Sequence, residues 1–274
     1  MRALHATIEG IGFWAQGLPN WDAARAYANT GVLPAEPPAR PSPQLLAPNE
    51  RRRAPETVAV ALDVALAACE AAGRDAAALP SVFASTHGDL AITDYMCTTL
   101  ASDPRSMSPT RFHNSVHNAA AGYWTIGAGA MQPATAISAF DASFAQGLLE
   151  ALVQLDSGSE AVLLVAYDSQ TTGPLATVSP STGLLGAALV LSRHGSDRKI
   201  GEGAITLQVE FADGEAVAPP GALARHAHGN AMAPMLPLFD ALARSDDHAI
   251  LHAGPGRIMD IRIEPARDAH SRNG

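Results

Sequence analysis

Residues 134–155 read Ala-Thr-Ala-Ile-Ser-Ala-Phe-Asp-Ala-Ser-Phe-Ala-Gln-Gly-Leu-Leu-Glu-Ala-Leu-Val-Gln-Leu. Small and β-branched residues over 134–139 suit a short strand, and the apolar spacing over 142–155 predicts a helix entered with almost no loop. Asp156-Ser157-Gly158-Ser159 stops that helix. Residues 160–167, EAVLLVAY, form an unbroken apolar run between turn residues, as a buried parallel strand does. Residues 184–193, LLGAALVLSR, form another strand. Strands alternating with helices imply an α/β sheet covered on both faces.

The same reading extends outward. Residues 4–14 alternate as a first strand and then turn through Gly10 and Gly12. Residues 34–43 are proline-rich and form a surface excursion. Residues 56–72 predict an alanine-rich helix with Gly73 as its stop. Residues 81–85 are a short strand ending at His87-Gly88. Helices are expected over 91–101, over 116–127 and over 231–244. Residues 205–211 alternate as a half-exposed strand, and two short strands flank Pro255-Gly256. No repeat of solenoid period is visible.

The chain of 274 residues is 47% apolar and 16% charged, the profile of a core-rich globular protein. Its net charge of −9 argues against a nucleic-acid partner, since phosphate binding needs clustered positive charge. Arg51-Arg52-Arg53, beside Glu50 and Glu56, reads as a solvated loop. Cys69 and Cys97 lie in expected helices and read as buried thiols of a reducing compartment. The N-terminus has no apolar signal core, and no window of about 20 apolar residues occurs. A cytoplasmic protein is expected.

The junction Ser138-Ala139-Phe140-Asp141-Ala142-Ser143 carries the chemistry. A helix N-terminus has unpaired N–H groups and a dipole that favours negative charge, so enzymes use such a turn to hold a nucleophile. The stretch resembles the nucleophile region of β-ketoacyl synthases in the thiolase superfamily. Those enzymes place an Ala-Cys-x-Ser turn between a small-residue strand and a long helix. The resemblance continues upstream in Met107-Ser108-Pro109, Asn118-Ala119-Ala120-Ala121-Gly122, Trp124-Thr125-Ile126-Gly127 and Gln132-Pro133. Downstream it continues in EAVLLVAYDS and LLGAALVLSR, and it covers about residues 3–193.

What the resemblance implies is a thiolase-like α/β/α layered fold, essentially the N-terminal half of a ketosynthase with a reduced C-terminal part. A ketosynthase N-terminal-like domain is expected over 1–212. A short C-terminal helix and strands over 213–274 pack on it, with a disordered tail. Asp141 stands where the family keeps its nucleophilic cysteine, and a carboxylate is a poor acyl acceptor. The second half that supplies two catalytic histidines in His-Gly-Thr and Gly-His motifs is not found. Arg225-His226-Ala227-His228-Gly229-Asn230 resembles the Gly-His entry only in the wrong order, so no catalytic histidine is carried over.

The resemblance therefore points to the chain-length-factor class, a non-catalytic partner of a true ketosynthase. The half-length form is similar to the partner in aryl polyene and xanthomonadin-type pigment pathways. No cofactor is implied. The partner is a catalytic ketosynthase subunit or a second copy, with an acyl carrier protein reached indirectly.

Residue by residue, Asp141 reads as an N-cap worth roughly 1 kcal/mol or as a carboxylate orienting a partner residue. Ala134, Thr135, Ala136, Ile137 and Ser138 form the strand that pairs across the dimer axis in the family, followed by Phe140. Met107, Thr110 and Phe112 fall where ketosynthase pairs reach into a neighbour's acyl tunnel, and ordinary packing is the alternative. His113 and His117 have a ligand-like spacing but lack a third ligand, so no metal is expected. Gly183 and Gly186 form no phosphate loop, and Ser143 lacks a hydrolase context. Two other readings stay open: an acyl-thioester enzyme using Asp141 as acid or base, and a carrier-protein-binding scaffold.

Overall fold

The computed structural model describes residues 3–194, 205–217 and 219–265. The first part runs β1 (Leu4–Ala15), α1 (Trp21–Thr30), α2 (Pro48–Arg53), α3 (Glu56–Ala72), β2 (Ser81–Ala84), α4 (Leu90–Ser102), α5 (Pro109–Asn114) and α6 (Ala119–Gly127). Then follow β3 (Ala134–Ile137), α7 (Ser143–Asp156), β4 (Ala161–Asp168) and β5 (Leu185–Arg193). The chain ends in β6 (Ile205–Asp213), α8 (Ala222–His226), α9 (Leu236–Arg244), β7 (His248–Gly254) and β8 (Arg257–Pro265).

All strands join one eight-stranded sheet in the order β3-β2-β4-β5-β1-β6-β8-β7. The β3, β2 and β4 strands are parallel, and every later neighbour pairs antiparallel. β4 is buried at every position, which explains its unbroken apolar run. One face of the central strands packs against α3 and α6 through Val60, Val64, Ala68 and Trp124. The other packs against α7 and α9 through Leu148, Leu152 and Phe239. The buried residues of β6, β8 and β7 join this second core, which explains their alternating burial. β6 crosses the expected boundary at residue 212 and pairs with both β1 and β8.

Several expectations are corrected. Gly10 and Gly12 do not turn the first strand, which continues to Ala15. They let α3 lie directly on it: a Cβ at Gly12 would stand 1.9 Å from the Val64 carbonyl oxygen, and one at Gly10 would stand 2.2 Å from that of Ala68. Arg51-Arg52-Arg53 close the short helix α2. The helix expected over 116–127 begins only at Ala119, as α6, and a separate short helix that was not expected, α5, precedes it, started by the Ser108 hydroxyl and Pro109. The helix expected over 231–244 begins only at Leu236, after a 3-10 turn at Ala233–Met235. Asn20 caps the unforeseen α1, its side chain accepting from the Ala23 N–H at 2.9 Å. Cys69 is buried, and burial pushes its thiol up to about 12. Cys97 is exposed, against expectation. The expected disordered tail falls outside the described residues.

The glycine contact yields a prediction. Gly12→Val forces α3 off β1 and should destabilise the chain by about 3 kcal/mol or more, read as the urea unfolding midpoint. A variant that melts with the wild-type midpoint would show that α3 does not depend on this close approach.

Candidate functional site

The site forms where the C-terminal ends of β2, β3 and β4 meet the start of α7. β3 ends at Ile137 and a 3-10 turn over Phe140–Ala142 leads into α7. Phe140 has φ 54°, a left-handed backbone that is uncommon for a bulky residue. Ser143 stabilises the turn. Its hydroxyl donates to the Phe140 carbonyl at 2.6 Å and accepts from the Ala139 N–H at 2.9 Å. The cap expected of Asp141 is not formed, and among the described residues no side chain caps the 3-10 turn or α7. Asp141 makes no cap hydrogen bond and instead faces His252 of β7 at 3.2 Å. Gln146 of α7 also reaches β7, donating to the Ala253 carbonyl at 2.9 Å.

Beneath the turn lies a buried polar node. Asp168, 1% exposed at the end of β4, accepts from the Ser85 hydroxyl at 2.7 Å and the Thr86 N–H at 3.0 Å. The His87 N–H adds a longer bond at 3.4 Å. Thr86 links the node to the turn, its hydroxyl donating to the Phe140 carbonyl at 3.3 Å and its own carbonyl accepting from the Ser138 hydroxyl at 2.9 Å. Asn230 donates to the Asp168 and Thr182 carbonyls, each at 3.1 Å. Burial, the largest influence, raises the carboxyl of Asp168 above its usual range, and the Ser85 and Thr86 bonds oppose that rise.

A cavity of about 610 Å³ opens beside the turn. Thr86, Phe140, Asp141 and Ser179 line one end, and Pro234, Pro237 and Ile250 line an apolar wall. His228 borders it, with Nδ1 3.1 Å from the Arg225 carbonyl.

The other expected positions lie on and just after β3 and on or just before α5. Ala134, Ala136 and Ser138 are exposed, while Thr135 and Ile137 are half-buried. Met107 is half-buried, Thr110 is exposed and Phe112 is 61% exposed. Around them stand Ile126 at 81% and Met131 at 93% exposure. His113 packs edge-on to Tyr123, whereas His117 Nε2 lies 2.8 Å from the Ser85 carbonyl. Among the described residues no group of three or more His, Cys, Asp or Glu side chains is placed to hold a metal ion. Nor is any helix among them long and apolar enough to cross a membrane.

Sequence reasoning missed Asp168, Ser85, Thr86 and His252. One signal was present: Asp168 puts a charge at the end of an otherwise apolar strand. His252 carried none, because its approach to Asp141 depends on where the last hairpin lies.

The raised pKa of Asp168 makes a prediction. The folded chain binds this proton more tightly than the unfolded chain. That contribution to stability is fully present below about pH 3.8 and is lost as the pH rises through the elevated folded value. The stability of wild type relative to Asp168→Asn should therefore increase on acidification from about pH 7 to about pH 4, read from urea midpoints. A difference that does not vary with pH would contradict this.

The comparisons with known proteins fit this geometry. The chain is similar to a chain of the ketosynthase (ApeO) in complex with its chain length factor (ApeC) from Xenorhabdus doucetiae, with TM-score 0.74 and 23% identity over 94% of this chain and 99% of that one. It is also similar to the ishigamide ketosynthase/chain length factor, with TM-score 0.69 and 15% identity over 96% and 100%. Against ketosynthase twelve of the bacillaene polyketide synthase from Bacillus amyloliquefaciens the TM-score is 0.53 and the identity 15%, covering 78% of this chain but 46% of that one. No curated protein matches the sequence. The family described as "Beta-ketoacyl synthase, N-terminal domain" matches residues 21–232. With a match over more than half its length and a thiolase-like ketosynthase fold, the chain belongs to the beta-ketoacyl synthase N-terminal domain family.

Proposed function

We propose that this chain is a chain-length-factor-like partner of a catalytic β-ketoacyl synthase in fatty-acid or polyene-type biosynthesis, working in the cytoplasm as one half of a heterodimer. The observation that carries the reading is the open edge at β3. This strand is four residues long, lies at the end of the sheet and has one side unpaired among the described residues. Exposed apolar side chains stand close to it: Met131 and Phe140 before and after it in the chain, and Ile126 on α6. An open strand edge is a template for another chain, and a concentration of exposed apolar groups marks a surface that gets covered.

The turn supports the same reading. Neither Phe140, which carries the left-handed backbone, nor Asp141 beside it is a thiol. Both cysteines lie elsewhere, on α3 and α4. The condensing nucleophile then belongs to the partner, as do the histidines. An aryl polyene or xanthomonadin-type product is the finer form of this proposal, and the sequence resemblance is what suggests it. A second reading takes Asp141 as an acid or base on an acyl thioester, favoured by its place between the cavity and His252.

Co-expression with a cysteine-bearing ketosynthase should give a stable one-to-one complex by native mass spectrometry. Met131→Glu and Ile126→Glu should weaken it at least about tenfold while leaving this chain folded, since both side chains are exposed. Complex formation unaffected by either charge would sink the β3 interface. Turnover of acyl thioesters that Asp141→Asn abolishes would favour the second reading.

Met107 and Phe112 are proposed to limit the growing chain from this side of the interface. Met107→Ala and Phe112→Ala should lengthen the product of the reconstituted pair, read by mass spectrometry. Products of unchanged length would remove the gate.

A further inference from the structure

The loop between β4 and β5 brings a serine and a histidine together at the cavity. Ser179 Oγ lies 2.9 Å from His87 Nε2. Ser179 lines the cavity next to Phe140, and His87 is half-buried behind it. Neither group is left to wander. The His87 N–H and its neighbour's are held by Asp168. Two residues beyond Ser179, Ser181 is buried. Its N–H donates to Thr171 Oγ1 at 2.9 Å, and its hydroxyl accepts from the Ala231 N–H at 3.0 Å. A hydroxyl within hydrogen-bond reach of an imidazole on a fixed backbone is the arrangement that activates a serine. Beyond the pair, Pro180, Pro234, Pro237, Ala241 and Ile250 give the cavity a wall suited to an apolar chain, and about 610 Å³ is the size of a small-molecule site.

We propose that Ser179 and His87 form a nucleophile–base pair that cleaves esters and thioesters whose apolar acyl chain lies in this cavity. With its proton on Nδ1, His87 accepts the Ser179 proton at Nε2 while Oγ forms a bond to the acyl carbon. The bond from that carbon to sulfur or oxygen breaks, and the leaving group takes the proton from His87. Water then attacks the acyl-serine, gives its proton to His87 and releases the carboxylic acid with Ser179 restored. This activity goes beyond the partner reading and does not rest on it, because complex formation is measured without any chemistry.

The test uses the purified chain alone. A fluorophosphonate probe should label the native protein on the peptide containing Ser179, and denaturation should abolish the labelling. The chain should hydrolyse p-nitrophenyl octanoate and the octanoyl thioester of N-acetylcysteamine. Ser179→Ala and His87→Ala should each lower the rate at least about 100-fold with unchanged circular dichroism. Cys97→Ser, which removes the exposed thiol, should keep the wild-type rate. Labelling of wild type needs no variant to fold. Label at another residue or none, turnover no faster than buffer, or a rate that survives Ser179→Ala overturns the proposal. Cleavage of only one of the two substrates assigns the pair to that leaving group.

Discussion

The carboxylate of Asp168 is the constraint on which the site depends. It sits at the buried end of β4, where an ionised group is tolerated only with donors around it. The Ser85 hydroxyl and the Thr86 N–H supply them, so the end of β2 is fixed to the end of β4. Thr86 in turn bonds the turn before α7 at Phe140 and Ser138. The carbonyl of Asp168 accepts from Asn230, which ties the C-terminal part of the chain to the same point. Three parallel strands, the helix entry and the cavity wall thus share one anchor. Apolar packing alone would have left these loops without fixed directions, because burial rewards area and not orientation.

The two edges of the sheet meet different fates. At one end β3 has one side unpaired among the described residues, with small exposed residues along it. At the other end β7 reaches back to the start of α7, through Gln146 to Ala253 and Asp141 to His252. The buried residues of β6, β8 and β7 join the core shared by α7 and α9, as do those of β2. Among the exposed apolar groups, Met131 and Phe140 lie on either side of β3 in the chain and Ile126 lies on α6. A lone soluble chain usually protects such an edge with charge or proline. Here methionine, isoleucine and phenylalanine stand around it instead. This contrast supports reading the surface as an interface.

Legibility in the sequence followed the strength of the local signal. EAVLLVAY had to be a buried strand, and 56–72 and 142–155 had to be helices, because their patterns allow nothing else of that length. The ketosynthase-like order of strand, turn and helix was readable for the same reason. Gly10 and Gly12 were misread because a glycine in a strand signals a turn and a close helix contact equally well. The distinction depends on α3, some fifty residues away in the chain. The separate start of α5 and the delayed start of α9 hinge on proline, with a serine cap in the first case, and such local signals compete with periodicity over short spans. At the site, Asp141 drew attention because it is charged. The stronger anchor, Asp168, ended a strand whose apolar run dominated the reading.

Phe140 brings these threads together. A left-handed backbone costs an L-residue about 1–2 kcal/mol, and a phenylalanine lacks the local hydrogen bonding that eases it for asparagine or aspartate. The turn persists because Ser143 and Thr86 both hold the Phe140 carbonyl, so the surroundings impose the conformation. That strain is matched by only partial burial, since Phe140 stays 59% exposed at the cavity, just after β3 in the chain. A turn that existed only to start α7 would be served better by glycine. A turn that presents an apolar ring to an incoming surface requires a bulky side chain at this point. Asp141 beside it is already engaged by His252, so its charge is directed toward β7. The turn before α7 therefore reads as a contact element, tied from below to Asp168 through Thr86 and exposed through Phe140.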